Sequence, residues 1–307
     1  MLTRSIGSLK VSVVGIGCNN FGARLDQSGT DAVVAAALES GINFFDTADI
    51  YGATKSEEYL GRALGSRRDE VVVATKFGMP IDDQRCGAAP AYIRKACDDS
   101  LVRLGTDRID LYQLHAPDAS VPIADTLGAL RDLKAAGKVR EIGCSNFSAV
   151  QLDEARAAAK GSDEFRSVQN QFSLLWRDPE ADGVLAACDR LEMAFLPFYP
   201  LANGLLTGKV RPGEPPPEGT RLAKMPPERS AHWLSDEFTA RVASLLEFAD
   251  DHGTSLLSLA FSWLLAHAQV ASVIAGATNS SQVQANAAAP IVLDDDARDA
   301  LDALTAT

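Results

Sequence analysis

Residues 43–52, which read Asn-Phe-Phe-Asp-Thr-Ala-Asp-Ile-Tyr-Gly, decide the fold and carry the first candidate functional side chains. The apolar first half predicts a buried strand, and the second half predicts a turn from which Asp46 and Tyr51 project. Two later apolar runs end in the same way, one at Lys76 and the next at His115. Ionisable residues at the C-terminal ends of successive strands are typical of parallel α/β folds, which keep their sites at that edge.

These four side chains together have the chemistry of a general-acid site. Tyrosine, with an ordinary pKa of about 10, is a poor acid near neutrality unless a cation lies beside its oxygen. Lys76 can lower the pKa of Tyr51, and Asp46 can hold the lysine in place. His115 can orient a carbonyl group. Taken singly, the residues also fit a helix cap, a solvated strand end and a packed core histidine, but the combination favours proton chemistry.

Composition and charge disfavour several classes of partner. The chain has 307 residues, 46% of them hydrophobic and 23% charged, as in an ordinary globular protein. Its net charge of -12 disfavours nucleic acids and anionic membranes, because these partners need a basic face. No apolar leader opens the chain, and no run approaches the roughly 20 residues of a membrane span. Five scattered cysteines without a Cys-x-x-Cys pair fit a reducing compartment, so we expect a soluble cytoplasmic protein.

The rest of the chain alternates between strand and helix patterns after an expected β-hairpin at residues 1–13. Strands are expected at 13–17, at a run that ends at 46, and at 71–76, 109–115, 141–146, 167–172, 193–199 and 271–276. Helices are expected at 30–40, 54–64, 90–104, 123–136, from 148 onward, and at 179–190, 236–250, 255–267 and 294–304. The proline-rich segment at 212–227 is expected to be a loop.

Local signals set several helix ends. Thr54 and Glu57 form one capping-box pattern, and Ser148 and Gln151 form a second. Gly41 is expected to end the first helix as the glycine that follows its C-cap.

Eight strands that alternate with helices require a parallel sheet, and at this chain length they close most naturally into a barrel. The predicted fold class is α/β, a single (β/α)8 TIM barrel with an N-terminal β-hairpin and extra C-terminal helices, in one domain spanning residues 1–307. A Rossmann domain is not predicted. Gly15, Gly17 and Gly22 do not match the Gly-x-Gly-x-x-Gly fingerprint, and no acidic residue ends a second strand at the required offset.

Five motifs carry a resemblance to a known family. They are Asp-Thr-Ala-Asp-Ile-Tyr-Gly at 46–52, Ala-Thr-Lys at 74–76, Leu-Tyr-Gln-Leu-His at 111–115, Ile-Gly-Cys-Ser-Asn-Phe at 142–147 and Pro-Leu-Ala-Asn-Gly-Leu-Leu-Thr-Gly-Lys at 200–209. With these motifs in order, essentially the whole chain resembles the aldo-keto reductase superfamily. Within it, the chain is similar to the longer bacterial members that also resemble potassium-channel β subunits. Several independent matches in the proper order are more specific than a lone glycine motif.

The resemblance implies roles for individual residues. Tyr51 is implied as the general acid, Asp46 and Lys76 as the ion pair that lowers its pKa, and His115 as the group that orients the carbonyl. At the nicotinamide, the implied cofactor-binding residues are Ser145, Asn146 and Gln169 for the carboxamide and Phe198 stacked on the ring. Over the pyrophosphate they are Pro200, Leu201, Gly204 and Lys209. At the adenosine-phosphate end they are Gly276, Thr278, Gln282 and Asn286. There, the loop leads into a short helix whose N–H groups can face an anion. From the residues alone, Ser145 and Asn146 also fit a plain turn, and Phe198 also fits core packing.

Three positions depart from the family pattern. Gln171 and Phe172 stand where the family often has glutamate and tyrosine, which leaves the role of that acid in doubt. Ala285 stands where a glutamate near the adenine is common, so that contact is expected to be looser. Ala116 follows His115 where some relatives have a bulky aromatic residue, which indicates a roomier pocket. None of these departures touches the four catalytic positions.

The sequence therefore predicts an NADPH-dependent oxidoreductase, with NADH as the alternative cofactor, that reversibly reduces aldehydes or ketones to alcohols. Its expected partner is a small carbonyl or alcohol substrate. A second hypothesis is a regulatory or redox-sensing subunit that binds the cofactor and turns over slowly. A metal-dependent barrel hydrolase is a weaker third hypothesis, because His115 is the one histidine of four at a predicted strand end and such sites usually need several ligands together.

Overall fold

The computed structural model describes residues 1–161, 163–211 and 213–306, and over these residues it contains ten strands and twelve α-helices. The strands are β1 Thr3–Ile6, β2 Leu9–Ser12, β3 Val14–Gly17, β4 Phe44–Asp46, β5 Val72–Phe77, β6 Ile109–Leu114, β7 Val139–Ser145, β8 Ser167–Gln171, β9 Ala194–Phe198 and β10 Val273–Gly276. The helices are α1 Gln27–Glu39, α2 Lys55–Leu64, α3 Pro90–Leu104, α4 Ile123–Ala135, α5 Ala149–Ala158, α6 Asp178–Ala181, α7 Val184–Arg190, α8 Pro227–Trp233, α9 Asp236–Asp251, α10 Leu256–Ala266, α11 Ser280–Ala288 and α12 Asp295–Thr305.

Eight of the strands form a closed parallel barrel. The sheet runs in the order β10-β3-β4-β5-β6-β7-β8-β9, and every neighbouring pair is parallel. The ends of the sheet meet at β9, where the Phe195 N–H donates to the Gln269 carbonyl at 2.7 Å and the Ala271 N–H donates to the Phe195 carbonyl at 3.0 Å. The predicted (β/α)8 TIM barrel is confirmed, since helices connect the successive parallel strands.

The predicted N-terminal hairpin is also confirmed, and it lies at the N-terminal end of the barrel strands. β1 and β2 pair antiparallel around a turn in which Gly7 has a φ of +53°. Ile6 and Leu9 of the hairpin are buried in one cluster with Phe44 and Val72, the first residues of β4 and β5. The hairpin therefore covers this end of the barrel with apolar packing and leaves the C-terminal strand ends for the site.

Several helix ends follow their local signals. The capping box of Ser148 and Gln151 is formed at the start of α5. Gly41 follows the C-cap of α1 with a φ of +76°, a conformation that glycine adopts without steric cost. α1 itself begins three residues before the predicted start, because the Asp26 carboxylate accepts a hydrogen bond from the Gly29 N–H at 2.9 Å and caps the helix there.

The predicted capping box at Thr54 is wrong. Thr54 has a φ of +74°, and its side chain makes no capping hydrogen bond. Its expected partner, Glu57, is fully buried and instead accepts from the Thr75 hydroxyl and from Arg103 Nε, each at 2.6 Å. A buried, charge-assisted pair is stronger than a neutral helix cap, and Glu57 is therefore turned inward.

Two other predicted segments differ from the structure. The single helix expected at 179–190 is divided into α6 and α7, because Gly183 between them has a φ of +80°. The proline-rich segment is irregular up to residue 226, but Pro227 then begins α8, where it suits the first helical turn. Pro212 lies outside the described residues. Across the described ranges, no helix is both long and apolar enough to cross a membrane.

Candidate active site

A buried ion pair forms the base of the candidate site. Asp46 is the last residue of β4 and Lys76 lies near the end of β5, and these strands are hydrogen-bonded neighbours. Lys76 Nζ lies 2.6 Å from Asp46 Oδ2 and donates to the Thr47 carbonyl at 2.9 Å. Burial opposes the lysine charge, but Asp46 and Tyr51 more than compensate and raise the pKa of Lys76. Lys76 is therefore a cation with no exposed surface.

Tyr51 lies above this pair and faces the cavity. Lys76 Nζ is 5.2 Å from the centre of the Tyr51 ring. Burial raises the pKa of the phenol, while the charge of Lys76 and its hydrogen bond lower it. The balance is a raised pKa, so the expected lowering by the lysine is present but is outweighed by desolvation. Tyr51 is thus held protonated and in contact with a cation that can stabilise the phenolate.

His115 completes the group immediately after β6. Its ring meets the Tyr51 ring edge-on, with 5.9 Å between centroids and 80° between planes. Burial and the nearby Lys76 lower the pKa of His115 to about 3, so the imidazole is neutral near pH 7. A neutral imidazole can donate one hydrogen bond to a carbonyl oxygen without adding charge.

Two amide side chains hold the second oxygen of Asp46. Gln169 Nε2 in β8 donates to Asp46 Oδ1 at 2.9 Å, and Gln113 Nε2 in β6 donates to the same atom at 3.3 Å. Gln169 was expected at the nicotinamide carboxamide, and its amide nitrogen is instead committed to the aspartate. Gln113 was not among the predicted site residues. The available signal was an amide residue two positions before His115 in the same strand.

Ser145 and Asn146 lie together where β7 ends. The Ser145 hydroxyl donates to the Gln169 carbonyl at 2.7 Å, and Asn146 Nδ2 donates to the His115 carbonyl at 2.9 Å. Asn146 has a φ of +61°, which turns the chain sharply at this point. The two residues therefore tie the ends of β6, β7 and β8 together beside His115.

One cavity of about 550 Å³ joins nearly all of the predicted residues. Its lining includes Asp46, Tyr51, His115, Ser145, Asn146, Gln169, Phe198, Pro200, Leu201, Gly204, Lys209, Gly276, Thr278, Gln282 and Asn286. Lys76 is the one predicted site residue outside this lining, since it is covered by Asp46 and Tyr51. The cavity thus runs from the ion pair past β9 to the segment after β10.

The far end of the cavity is organised by side-chain hydrogen bonds. Gln282 Oε1 accepts from the Thr278 N–H at 2.8 Å and lies 3.2 Å from the Thr278 hydroxyl. Asn279 caps α11 by accepting from the Gln282 N–H at 2.9 Å. Backbone N–H groups were expected to face an anion here, but the Thr278 N–H is already used within the loop. Gly204, over the middle of the cavity, has a φ of +105°, which favours glycine.

Sequence reasoning missed several cavity residues on loops. Arg24 follows β3, and its guanidinium donates to the Gly219 carbonyl at 3.0 Å, which joins two segments far apart in sequence. Arg221 lies over the Tyr199 ring at 4.8 Å and also contacts the Tyr199 hydroxyl at 3.2 Å. All four residues line the cavity. No local pattern marks them, because only the barrel brings these loops together.

A second buried acid lies close behind the site. Asp49 is 1% exposed, and neither of its carboxylate oxygens has a hydrogen-bond partner among the described residues. Burial and the neighbouring Glu57 raise the pKa of Asp49 to about 7, against the opposing charge of Arg103. Asp49 does not line the cavity.

The cavity fits a nicotinamide dinucleotide in its chemistry. Amide side chains lie beside the ion pair, where a carboxamide needs both donors and acceptors. The cations Lys209, Arg24 and Arg221 line the remainder, where a diphosphate needs positive charge. No group of three or more His, Cys, Asp or Glu side chains suited to a metal ion occurs within the described ranges.

Comparisons with known proteins give a consistent result. The model of the Aldo/keto reductase family matches residues 13–306. A probable voltage-gated potassium channel subunit beta of Arabidopsis thaliana is 33% identical in an alignment that covers 93% of this chain and 92% of the relative. The structure of the glycerol dehydrogenase AKR11B4 from Gluconobacter oxydans aligns with a TM-score of 0.83 at 29% identity, over 99% of this chain and 95% of that one. The holo form of the aldo-keto reductase AKR11C1 from Bacillus halodurans aligns with a TM-score of 0.81 at 31% identity, over 99% and 96% of the two chains.

Proposed function

The chain belongs to the aldo/keto reductase family, and from that premise we propose that it reduces aldehydes or ketones to alcohols, reversibly, with NADPH as the preferred cofactor. Members of this family are oxidoreductases that generally use nicotinamide cofactors and act on small carbonyl substrates. The proposal adds the roles of individual residues and the choice of nucleotide.

The observation that carries the proposal is a buried cation beside a cavity-facing phenol. Lys76 has no exposed surface, is paired with Asp46 at 2.6 Å, and lies 5.2 Å from the Tyr51 ring centre. Placing a charge there is costly unless it stabilises another charge. The developing phenolate of Tyr51 is such a charge. This arrangement supports Tyr51 as a general acid.

His115, Tyr51 and Lys76 would each have a separate role in the reaction. His115, neutral at physiological pH, donates to the carbonyl oxygen and fixes its direction. A reduced nicotinamide, when bound, would supply the hydride for the carbonyl carbon. Tyr51 gives its proton to the carbonyl oxygen, and Lys76 stabilises the phenolate that remains. In the oxidation of an alcohol, the same phenolate accepts the proton.

The cofactor would be held along the length of the cavity. Ser145, Asn146 and Gln169 lie at the end where the nicotinamide must sit if its ring is to face Tyr51. Phe198 is partly exposed to the same space, as a ring that stacks on the nicotinamide would be. Lys209, on the segment after β9, supplies a cation for the pyrophosphate.

The direct test is a turnover assay with the purified protein. Reduced cofactor is mixed with a panel of aldehydes, ketones and sugars in many-fold excess over enzyme, and loss of absorbance at the nicotinamide band is followed. We expect many turnovers with at least one carbonyl class and a higher kcat/KM with NADPH. Oxidation of no more than one equivalent of cofactor across the panel would contradict the catalytic proposal.

A regulatory function is the second candidate. It is favoured by the potassium-channel β subunit among the relatives, which spans nearly the whole chain at 33% identity. On this hypothesis the cofactor would bind tightly and turnover would be slow. Single-turnover and steady-state rates separate the two functions, because a catalyst repeats the reaction whereas a redox-sensing subunit retains its oxidised cofactor.

A further inference from the structure

Both carboxylate oxygens of Asp46 have polar partners, but only the ion pair with Lys76 is part of the proposed catalytic group. Oδ2 pairs with Lys76, whereas Oδ1 receives the amide N–H groups of Gln113 and Gln169. We propose that Gln113 is a positioning residue for the reaction, which fixes and partly neutralises Asp46 so that Lys76 can support the proton transfer of Tyr51. This inference rests on the proposed function, since it assigns a role within the same site.

Gln113 has no direct access to a ligand. It is fully buried and does not line the cavity, whereas Gln169 does. Its amide nitrogen points to Asp46 Oδ1 at 3.3 Å, and its amide oxygen has no partner among the described residues. A buried, half-satisfied amide is costly, and packing alone would be better served by an apolar side chain of that size.

The barrel register places Gln113 beside Lys76, the ion-pair partner of Asp46. Lys76 pairs with Gln113 across β5 and β6, Gln113 pairs with Gly143 in β7, and Gly143 pairs with Ser167 in β8. These four residues form one layer across the barrel. A Cβ on Gly143 would lie 2.4 Å from Ser167 Oγ and 3.3 Å from Gln113 Cγ. The glycine therefore provides the space in which the Gln113 side chain lies.

Loss of the Gln113 amide N–H is expected to raise the pKa of Tyr51. The negative charge of Asp46 raises the pKa of Tyr51, while the charge of Lys76 lowers it. Two N–H dipoles on Oδ1 disperse part of the Asp46 charge. Removing one of them leaves Asp46 more negative towards Tyr51 and binds Lys76 more tightly to Asp46. Both changes raise the pKa of Tyr51.

Other titratable groups face Tyr51 and must be kept constant in the test. His115 meets the ring edge-on, and Tyr199 adds a further, smaller contribution that raises the phenol pKa. Cys18, after β3, is fully buried near Asp46 and Lys76, and burial raises the pKa of its thiol, so it stays neutral. None of these groups is changed by a substitution at Gln113.

The test compares Gln113→Met with wild type. Methionine keeps the length and volume of the side chain and removes the donor. We expect kcat for alcohol oxidation to fall roughly tenfold at neutral pH. In the plot of this kcat against pH, the rising limb should move to higher pH by roughly half to one unit. Affinity for the cofactor should be unchanged, because Gln113 does not reach the cavity.

A second readout uses the cofactor-free protein. The absorbance of tyrosinate is titrated in Gln113→Met and in wild type, and each curve is corrected by its own Tyr51→Phe counterpart, which isolates Tyr51. The pKa of Tyr51 in the variant is expected to rise by the same roughly half to one unit. Tyr112→Phe is the matched control, because Tyr112 is the buried neighbour on β6 and its hydroxyl has no partner among the described residues. This control should leave the pH profile and the titration unchanged.

Gln113→Glu keeps the test decisive if methionine impairs folding. It preserves the shape of the side chain and places a second acid beside Asp46, so the upward displacement should exceed that expected for methionine. A folded Gln113 variant whose pH profile and Tyr51 titration match wild type would overturn the inference. If wild type itself shows no turnover, the proposed function fails, and the titration of the cofactor-free protein still decides the role of Gln113.

Discussion

Tyr51 is the residue on which the proposed chemistry depends most directly. Tyr51→Phe removes the proton donor and keeps the ring, so hydride addition would leave an alkoxide without an acid to neutralise it. Turnover should fall by roughly 10²–10⁴, the range for loss of general-acid catalysis. Cofactor affinity, measured by fluorescence titration, should change little. Near-normal turnover under conditions where chemistry limits the rate would show that Tyr51 is not the acid.

Lys76 should be needed for its charge and not for its volume. Lys76→Met keeps the aliphatic stem but leaves Asp46 as an unpaired buried carboxylate and the phenolate without support. Activity should fall by at least 10², and the pH profile of alcohol oxidation should move upward or vanish. Asp46→Asn should be milder, because Lys76 keeps its bond to the Thr47 carbonyl at 2.9 Å. An unchanged rate and pH profile in the methionine variant would exclude the electrostatic role.

His115 predicts a pH dependence of stability. The pKa of His115 is about 3 in the folded protein, whereas its ordinary value is 6.5. The unfolded chain therefore binds more protons between these values, and stability falls as the pH decreases through 6.5. Between pH 7 and pH 5 the loss from this residue should be about 2 kcal/mol.

The measurement is urea unfolding of wild type and His115→Asn at both pH values. The variant should lose less stability than wild type over this interval, because it has no imidazole to protonate. His252→Asn, at an exposed helix end, is the control and should behave like wild type. Equal losses in wild type and His115→Asn would contradict the assignment of a buried neutral histidine.

At the residue scale, the sequence predicted which side chains the fold brings together at the candidate site, but not how burial and charge balance in their pKa values. Asp46, Lys76 and His115 could be found because three successive predicted strands each end in an ionisable residue. The raised pKa of Tyr51 could not be found, since it depends on how much water the folded protein removes from the phenol. Gln113 was overlooked for a similar reason. Its role appears only when the register of β5 and β6 pairs it with Lys76, the ion-pair partner of Asp46.

Among the helices, α5 has a formed side-chain cap at Ser148 and α2 has none at Thr54, which gives a matched pair of substitutions. The Ser148 hydroxyl accepts from the Gln151 N–H at 3.3 Å, whereas the Thr54 side chain makes no capping bond. Ser148→Ala should lower the free energy of unfolding by about 1 kcal/mol. Thr54→Ala should change it by less than about 0.5 kcal/mol, the range for substitutions away from such features. Equal losses in the two variants, measured by urea unfolding, would contradict this difference.

The elements were predictable where local chemistry decides them. Pro90 begins α3, Gly41 follows the end of α1, and the polar pair at residues 148 and 151 caps α5. Prediction failed where tertiary contacts override the local pattern. Glu57 has the spacing of a capping residue but forms a buried pair with Arg103. The break at Gly183 was missed because glycine within a helical pattern does not by itself specify a left-handed conformation.

At the scale of the whole molecule, the cavity is built from segments that the sequence keeps far apart. Closure of β9 onto the segment before β10 brings the loops after β3, β9 and β10 to one end of the barrel. The contact between Arg24 and Gly219 then joins two of these loops across the cavity. Alternation of strands and helices predicts such a barrel, but it does not predict which loop side chains meet.

The proposed preference for NADPH would depend on this assembly of loops. The segment from Gly276 to Asn286 contains no arginine, and the Thr278 N–H is used by Gln282, so the loop after β10 offers a largely neutral site. Charge-assisted contacts to phosphate are about twice as strong as neutral ones. The cations Arg24 and Arg221 line the same cavity on other loops and add positive potential for a further phosphate. We therefore expect a real but moderate preference, roughly tenfold in kcat/KM, the equivalent of about 1.4 kcal/mol.

The test measures kcat/KM for NADPH and NADH at a saturating concentration of the best carbonyl substrate. Thr278→Ala combined with Gln282→Ala should reduce the preference through the NADPH value alone, because the 2′-phosphate is the one group that distinguishes the two cofactors. Lys209→Met is the matched control. It should lower both values by the same factor, since the pyrophosphate is common to both cofactors. Equal values for the two cofactors in wild type, or a preference for NADH, would refute a 2′-phosphate site in this cavity and leave the assignments at Tyr51 and Lys76 intact.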